Sequence, residues 1–401
     1  MILIFNENQN NIINEAIDFY KNSSEQVFQF DGEAGTGKSV VINEIVRRLN
    51  LKPSEILPMA YTGQAAIVMR MKGLINARTC HSTLYEPQPV EMLDAFGRVM
   101  KDSTFNMPIM VWKFVPRSFD GLGIKLMIID EGWMVPLSLK HDIEKHGIKI
   151  IVCGDSGQLP PVADSPAYLV SGKIHHLTQL MRQAEDSPLI YIAHRARKGL
   201  PIHNGYYGRT VAVINENELT DEMIAASKAI ICGKNKTRDL MNKRVREDIL
   251  GIHRDIPVIG DRVICRKNSW GTEIDGISLA NGLCGTVTNM PDVASFDGNT
   301  FKIDFQPDLL NRSFHDVVCD YKYFTAPPEL RQEIKNDKYS IGEKFEYAYA
   351  QTTHITQGAE YPYGIYIEEY LSRDIQSNLN YTGITRFKEA MIYVKKSRRF
   401  F

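Results

Sequence analysis

The 401-residue chain is 43% hydrophobic and 24% charged, an ordinary globular composition that excludes a wholly disordered or fibrous protein. Its 47 Lys+Arg against 48 Asp+Glu leave a net charge of −1, so bulk charge announces no nucleic-acid partner and any basic surface must be local. The length allows two or three domains. No apolar run reaches membrane-span length, and the start Met1-Ile2-Leu3-Ile4-Phe5 lacks the basic region of a signal peptide, which points to the cytoplasm. Six scattered cysteines (Cys80, Cys153, Cys232, Cys265, Cys284, Cys319) form no C-x-x-C pair and read as free thiols; the ten histidines form no H-x-x-x-H cluster, so no structural metal is expected.

The first predicted strand, Gln26-Val27-Phe28-Gln29-Phe30, runs into Gly32-Glu33-Ala34-Gly35-Thr36-Gly37-Lys38-Ser39, which fits the P-loop pattern G-x-x-x-x-G-K-[ST]. Residues 40–49 then read as a helix, so the motif has the strand–loop–helix setting it requires. Gly32, Gly35 and Gly37 let the backbone N–H groups around Thr36 turn inward on a triphosphate, and the helix N-terminus adds its positive end. Lys38 is placed to reach the β- and γ-phosphates, and Ser39 to hold Mg2+ through its hydroxyl. A Gly-rich turn without a ligand would not explain the agreement of both flanks. The chain is expected to bind ATP or GTP.

Residues 56–60 form the second predicted strand, followed by a helix over 64–69. The apolar run 124–130 closes in Asp130-Glu131, the Walker B arrangement, in which Asp130 serves the magnesium shell and Glu131 orients and deprotonates water. Residues 148–155 make a further strand. Alternation restarts with a strand at 228–233, a charged helix at 237–250, and strands at 345–350, 363–367 and 390–394 of a second sheet. Between them, from about 263 to 342, short β-like runs with turn signals indicate a β-rich insertion. Its clearest element is the N-G turn of Asn281-Gly282-Leu283-Cys284-Gly285-Thr286-Val287.

The segment Gly154-Asp155-Ser156-Gly157-Gln158-Leu159-Pro160-Pro161-Val162 resembles motif III of superfamily 1 helicases, which implies that Gln158 senses the γ-phosphate. Other matches stand in the family's order. Asn8-Gln9 implies an adenine-reading Gln9. Ala60-Tyr61-Thr62-Gly63-Gln64-Ala65-Ala66 resembles motif Ia and implies DNA-backbone contacts at Thr62 and Gly63, and Thr79-Cys80-His81-Ser82-Thr83-Leu84 adds His81. Leu177-Thr178-Gln179-Leu180-Met181-Arg182-Gln183 resembles motif IV, with Arg182 reaching the γ-phosphate. Tyr349-Ala350-Gln351-Thr352-Thr353-His354-Ile355-Thr356-Gln357-Gly358-Ala359-Glu360 resembles motif V, implying DNA contacts from Thr353 and His354 and ATP contacts from Gly358 and Glu360. Asn380-Tyr381-Thr382-Gly383-Ile384-Thr385-Arg386 resembles motif VI, with Arg386 as the second arginine finger.

The matches span residues 9–394, and the T-T-H-x-x-Q-G-x-E pattern with the compact size is similar to the RecD/Dda branch. The resemblance implies an α/β fold of two RecA-like P-loop domains. Residues 1–195 would be the first, carrying a pin subdomain at about 84–123. Residues 196–262 and 343–401 would be the second, with 263–342 a β-rich, SH3-like subdomain. It further implies ATP and Mg2+ at the cleft, 5′→3′ movement on single-stranded DNA, and separation of duplex at junctions by a monomer. The same resemblance suggests replication or recombination, a single-stranded DNA-binding protein or replisome partner, and the cytoplasm of a bacterium or phage-infected cell. Phe96, Phe105 and Trp112 are wedge candidates, although for each of them, as for Phe114, a place in the subdomain core is the preferred reading. Two departures stand out: Gly132-Trp133 replaces a small residue and serine after Asp-Glu, and Ile355-Thr356 replaces lysine and serine in motif V. An ATP-switched translocase or loader without strand separation is the competing class, and a P-loop signalling NTPase would leave the second-half motifs unexplained.

Overall fold

The computed structural model describes residues 4–94, 96–101, 107–162, 164–181, 186–269, 272–274, 277–290, 299–337 and 342–396. Asn6 opens the helix Glu7–Asn22 by a reciprocal cap with Gln9, each side chain accepting the other's backbone N–H. The next element, Val27–Gly32, enters a six-stranded sheet that is parallel throughout. Across it the order is Arg78–Thr79, Ile56–Ala60, Leu126–Asp130, Lys149–Gly154, Val27–Gly32 and Ile174–Leu177. Strands such as Leu126-Met127-Ile128-Ile129 are uninterrupted apolar runs because both faces are covered. The loops after Gly32, Ala60, Asp130 and Gly154 therefore leave along one carboxyl edge, where ligands of such sheets bind.

A second six-stranded sheet runs Ala350–Thr352, Ile230–Cys232, Tyr361–Glu368, Phe387–Lys395, Val211–Asn215 and Gly205–Tyr207, parallel except for its last pair. The helices Pro188–Arg197 and Gln376–Ile384 lie together on it. Leu189, Ile192, Ala193 and Ala196 of the first are buried in the same cluster as Tyr366, Tyr381 and Tyr393. The expected division after residue 195 thus falls inside a helix, and that helix packs with the second sheet.

The β-rich insertion contains a five-stranded antiparallel sheet ordered Phe314–Asp320, Thr300–Pro307, Cys284–Asn289, Arg262–Cys265 and Phe345–Tyr347. The predicted strand at 345–350 is corrected here, because it divides between two sheets. Phe345–Tyr347 pairs antiparallel with Arg262–Cys265, and Ala350–Thr352 pairs parallel with Ile230–Cys232. The reason is Glu346, a charge in the run that a doubly covered parallel strand would not hold. In the antiparallel sheet it meets the Tyr323 hydroxyl at 2.7 Å and the Arg266, Arg238 and Arg331 guanidiniums. Burial would raise its carboxyl, but the three cations hold it below the ordinary carboxylate range. The charged helix ends earlier than expected, at Asn235–Lys243, and continues as a wider turn over Arg244–Ile249. This turn delivers the buried Arg246 to Asp261 at 3.1 Å and over the Tyr347 ring at 4.4 Å, joining insertion to sheet.

The segment expected to be a pin contains a two-stranded antiparallel ribbon of Tyr85–Glu91 and Met110–Pro116, in register from Tyr85 opposite Pro116 to Glu91 opposite Met110. Bridges between Leu93 and Val99 and between Lys101 and Pro108 extend it outward. Among the described residues no helix is long and apolar enough to cross a membrane. All six cysteines are buried and unpaired. Removing one partner of a buried ion pair costs about 3–5 kcal/mol. Arg246→Met is therefore expected to lower stability by that order in urea denaturation and to loosen the insertion, read as faster amide exchange in Arg262–Cys265.

Candidate nucleotide site and interdomain cleft

The P-loop wraps between Val27–Gly32 and the helix Lys38–Leu49, with Gly35 and Gly37 both at φ +86°. Lys38 Nζ folds back to the Gly32 carbonyl at 2.7 Å and the Glu33 carbonyl at 3.2 Å, so the loop encircles its own lysine. Ser39 follows in the first helical turn. Gln9 is buried, and its Nε2 donates to the Thr36 carbonyl at 2.9 Å; a Cβ on Gly37 would come within 2.8 Å of that nitrogen. The Gly35 carbonyl accepts the Met181 N–H at 2.9 Å. Arg182, the next residue, lies outside the described residues.

Asp130 ends its strand with Oδ1 accepting the Glu131 N–H and the Cys153 thiol, both at 2.9 Å. Ser39 and Asp130 offer a hydroxyl and a carboxylate, hard oxygen donors of the kind Mg2+ takes. Glu131 follows in a left-handed backbone, φ +53°. Burial pushes its carboxyl above the usual range, against the pull of Arg386 and Lys38, and Asp130 adds to the rise. A raised carboxyl is a stronger proton acceptor in its ionised form than an ordinary one.

Gln158 is buried, and its Oε1 accepts from Arg386, which reaches over from the second sheet at 3.1 Å. Arg386 is itself buried and also donates to the Thr382 and Ala359 carbonyls. Neighbouring contacts close the same seam. Leu159 N–H donates to Thr382 Oγ1 at 2.8 Å, Gln357 Nε2 donates to the Leu159 carbonyl at 2.8 Å, and Asn378 donates to the Gly157 and Gln158 carbonyls.

A second network was not legible from the motifs. Tyr381 accepts the Ala34 N–H of the P-loop at 2.8 Å and donates to Asp155. Asp155 holds Arg197 at 2.6 Å; Arg197 and His194 both meet Glu33, at 3.4 and 2.8 Å. The His194 contact, opposed by burial and helped by Arg197, keeps the Glu33 carboxyl low. Tyr381 lies in the motif VI segment, and Arg197 and His194 lie in no motif.

The structure does not bring every expected residue to the P-loop. None of the described hydrogen bonds or ion pairs joins Gly358 or Glu360 to residues 32–39. Gly358, at φ +80°, lies against the helix Gly63–Met71, where a Cβ would come within 2.7 Å of Thr62 Oγ1 and Ala65 Cβ. Glu360 is held by Lys72 at 2.9 Å and Lys388 at 3.1 Å. Both residues thus lie at a seam between motifs Ia and V.

Thr62 caps the helix Gly63–Met71, accepting the Ala65 N–H, and Gly63 faces Ala280 of the insertion across a cleft that also presents Arg70, Arg78 and Ser82. His81 is exposed between the rings of Tyr61 and Tyr85, at 6.1 and 6.0 Å, a row suited to stacking on bases. His354 is half-buried. Thr353 departs from its expected role: it is fully buried and its hydroxyl donates to the Cys232 carbonyl at 3.2 Å, so it presents nothing to DNA here. On the pin, Phe96 is 82% exposed and Phe114 45%, so neither is subdomain core. Phe105 and the side chain of Trp112 lie outside the described residues, as does Trp270 in the insertion.

A P-loop on one parallel sheet and a buried arginine supplied by a second, mainly parallel sheet match a two-domain RecA-like α/β fold. The AAA domain family model matches residues 5–215, and the chain belongs to that family. In fold it is similar to superfamily 1 helicases of the Pif1 group, related to the RecD/Dda type. A Pif1 helicase described for DNA unwinding at forked duplex DNA is 18% identical, with 98% of this chain and 92% of that one covered at a TM-score of 0.57. Bacteroides Pif1 bound to single-stranded DNA is 18% identical over 98% and 92%, TM-score 0.56. Pif1 from Candida albicans is 16% identical over 98% and 95%, TM-score 0.53. In sequence, uncharacterized protein R530 of Acanthamoeba polyphaga mimivirus is 26% identical over 187 residues, 42% of this chain and 36% of that protein. The chain thus spans about a third of that viral relative's length.

The Glu360 seam carries a pH dependence. Burial works against it, but Lys388 and Lys72 hold the carboxyl down to about 2, from an ordinary 4.5. A folded-state value below the unfolded one adds stability above pH 4.5 that is lost as pH falls through about 2. Glu360→Gln is expected to be less stable than the parent above pH 4.5 and equal to it near pH 2, as read by denaturant midpoints across that window.

Proposed function

We propose that the chain is an ATP-dependent DNA helicase that moves 5′→3′ on single-stranded DNA and separates duplex ahead of it. The observation that carries this reading is the meeting of Gln158 with Arg386, which couples a γ-phosphate sensor on one sheet to a cation on the other. Lys38 binds phosphate, Gln9 reads the base and Glu131 takes the proton of the attacking water. Arg386, with Arg182, offsets charge on the transferring phosphoryl group, a contribution commonly worth ~10³–10⁵ in turnover. Mg2+, held by Ser39 and Asp130, would neutralise phosphate charge. Gly358 serves the motif Ia seam.

Hydrolysis opens and closes the cleft, so that the Thr62 and His81 surface of the first domain and the His354 surface of the second alternate their grip. The β-rich insertion, read as SH3-like, supplies the second wall of the DNA channel. Breaking stacking costs ~1.4 kcal/mol per base-pair step, small enough for one pair to melt per step against a wedge. Grip comes from phosphates and stacking, so binding has little sequence preference and strong salt dependence. The chain acts as a monomer in a replication or recombination setting, in the cytoplasm, alongside a single-stranded DNA-binding protein. An ATP-switched translocase or loader is the reading left if duplex is not separated.

Strand displacement on partial duplexes with a 5′ or a 3′ tail tests the reading. Displacement is expected only from the 5′ tail, and Lys38→Ala should abolish it in a folded protein. Displacement from the 3′ tail alone would overturn the direction. DNA-stimulated hydrolysis with no displacement from either tail would leave the loader.

Phe96 is the wedge candidate best supported, being exposed at the pin with Arg98 stacked on it at 5.2 Å. Phe96→Ala is expected to lower base pairs opened per ATP severalfold while DNA-stimulated hydrolysis holds. Unchanged opening per ATP would remove Phe96 from that role.

A further inference from the structure

The Gly132-Trp133 departure lies at the joint between the two halves of the site. Glu131 takes a left-handed turn, and Gly132 then runs so close to the adjacent strand that a Cβ would come within 2.3 Å of Val152 Cγ1. The turn carries Trp133, half-buried, onto the loop after Lys149–Gly154, where its indole N–H donates to the Gln158 carbonyl at 3.0 Å. The same oxygen accepts Asn378 Nδ2 at 3.0 Å, from the helix Gln376–Ile384 on the second sheet. A carbonyl has two lone pairs. One is taken from the Glu131 loop and the other from the second domain. The flanking backbone of Gly157 and Leu159 is bound by Asn378, Thr382 and Gln357, all from the second domain. Among the described residues, Trp133 is the side chain that ties this segment back to the Glu131 loop.

We infer that Trp133 is a positioning residue for hydrolysis, resting on the ATPase reading above. It fixes the Gln158 backbone relative to Glu131, so that the base and the Gln158–Arg386 pair keep register as the second sheet moves. Its action is through Gln158 and not on the substrate. A phenylalanine fills the same space without the N–H, which separates the hydrogen bond from the packing.

The test uses the full chain with Trp133→Phe, Asn378→Ala and the double variant. ATP turnover on single-stranded DNA is measured beside thermal melting and the affinity for a fluorescent ADP analogue. With Trp133→Phe, kcat is expected to fall about tenfold, the worth of one buried hydrogen bond, with KM for ATP within about twofold. Because both residues act on one oxygen, the double variant should lose less than the product of the two single losses. Parent kcat in a stably folded Trp133→Phe, a loss confined to KM, or simply multiplying losses would each overturn the proposal. Should Trp133→Phe not fold, a chain with Trp112→Phe and Trp270→Phe leaves Trp133 as the only tryptophan. Its emission should shift on adding a non-hydrolysable ATP analogue with Mg2+, and an unchanged spectrum on a nucleotide-bound protein would overturn the proposal. If the parent binds the analogue but turns over no ATP, the ATPase reading fails, and Trp133 falls with it as a residue of hydrolysis.

Discussion

A buried guanidinium sets the terms for the molecule. Arg386 sits in the seam between two parallel sheets, 5% exposed, and a desolvated cation is tolerated only where fixed acceptors surround it. Those acceptors are the Thr382 and Ala359 carbonyls of its own domain and Gln158 Oε1 of the other, with the Glu131 carboxyl near enough to be stabilised by its charge. Any motion of one sheet against the other must therefore rearrange the contacts of this cation.

Around this cation the seam is made almost entirely of side chain to backbone bonds. Asn378, Thr382 and Gln357 bind the carbonyls and N–H of residues 157–159, and Tyr381 binds the P-loop N–H at Ala34. Such bonds fix loop position, each at a net worth of about 1 kcal/mol. The ionic chain from Tyr381 through Asp155 and Arg197 to Glu33 adds a second joint beside the phosphate cradle. The exposed aromatic residues follow another rule. His81 between two tyrosines and the exposed Phe96 at the pin are aromatic surfaces left in water, which stacking on bases would cover.

A glycine-rich motif and apolar runs were enough to read the P-loop, the Asp130-Glu131 strand end and the central strands of both large sheets, while Arg78–Thr79, Ile174–Leu177, Gly205–Tyr207 and Val211–Asn215 are not among the expected strands. These features are contiguous in the chain, and a doubly buried strand leaves its mark as an apolar run. The run at 345–350 misled because it covers one short strand and the first residue of the next, and only the three arginines around Glu346 explain why its first half joins an antiparallel sheet. The assignments of Thr353, Gly358 and Glu360 came from a motif pattern. A motif names residue types and leaves open which way each faces, and here one hydroxyl is spent inside its own domain and one carboxylate between two lysines.

By itself the sequence determined the cradle and the acidic strand end, since both need only a strand, a turn and a helix in succession. Which distant residues complete the site was decided by tertiary structure. Arg197, His194 and Asn378 lie in no motif, nothing local tells what Tyr381 and Trp133 bind, and the contacts of all five join residues far apart in the chain. The physical reason lies in the parallel sheet. It gathers its loops at one edge regardless of their separation in the chain, and a second sheet then presents its own edge to them, so the site is assembled by packing and cannot be read from neighbours along the chain.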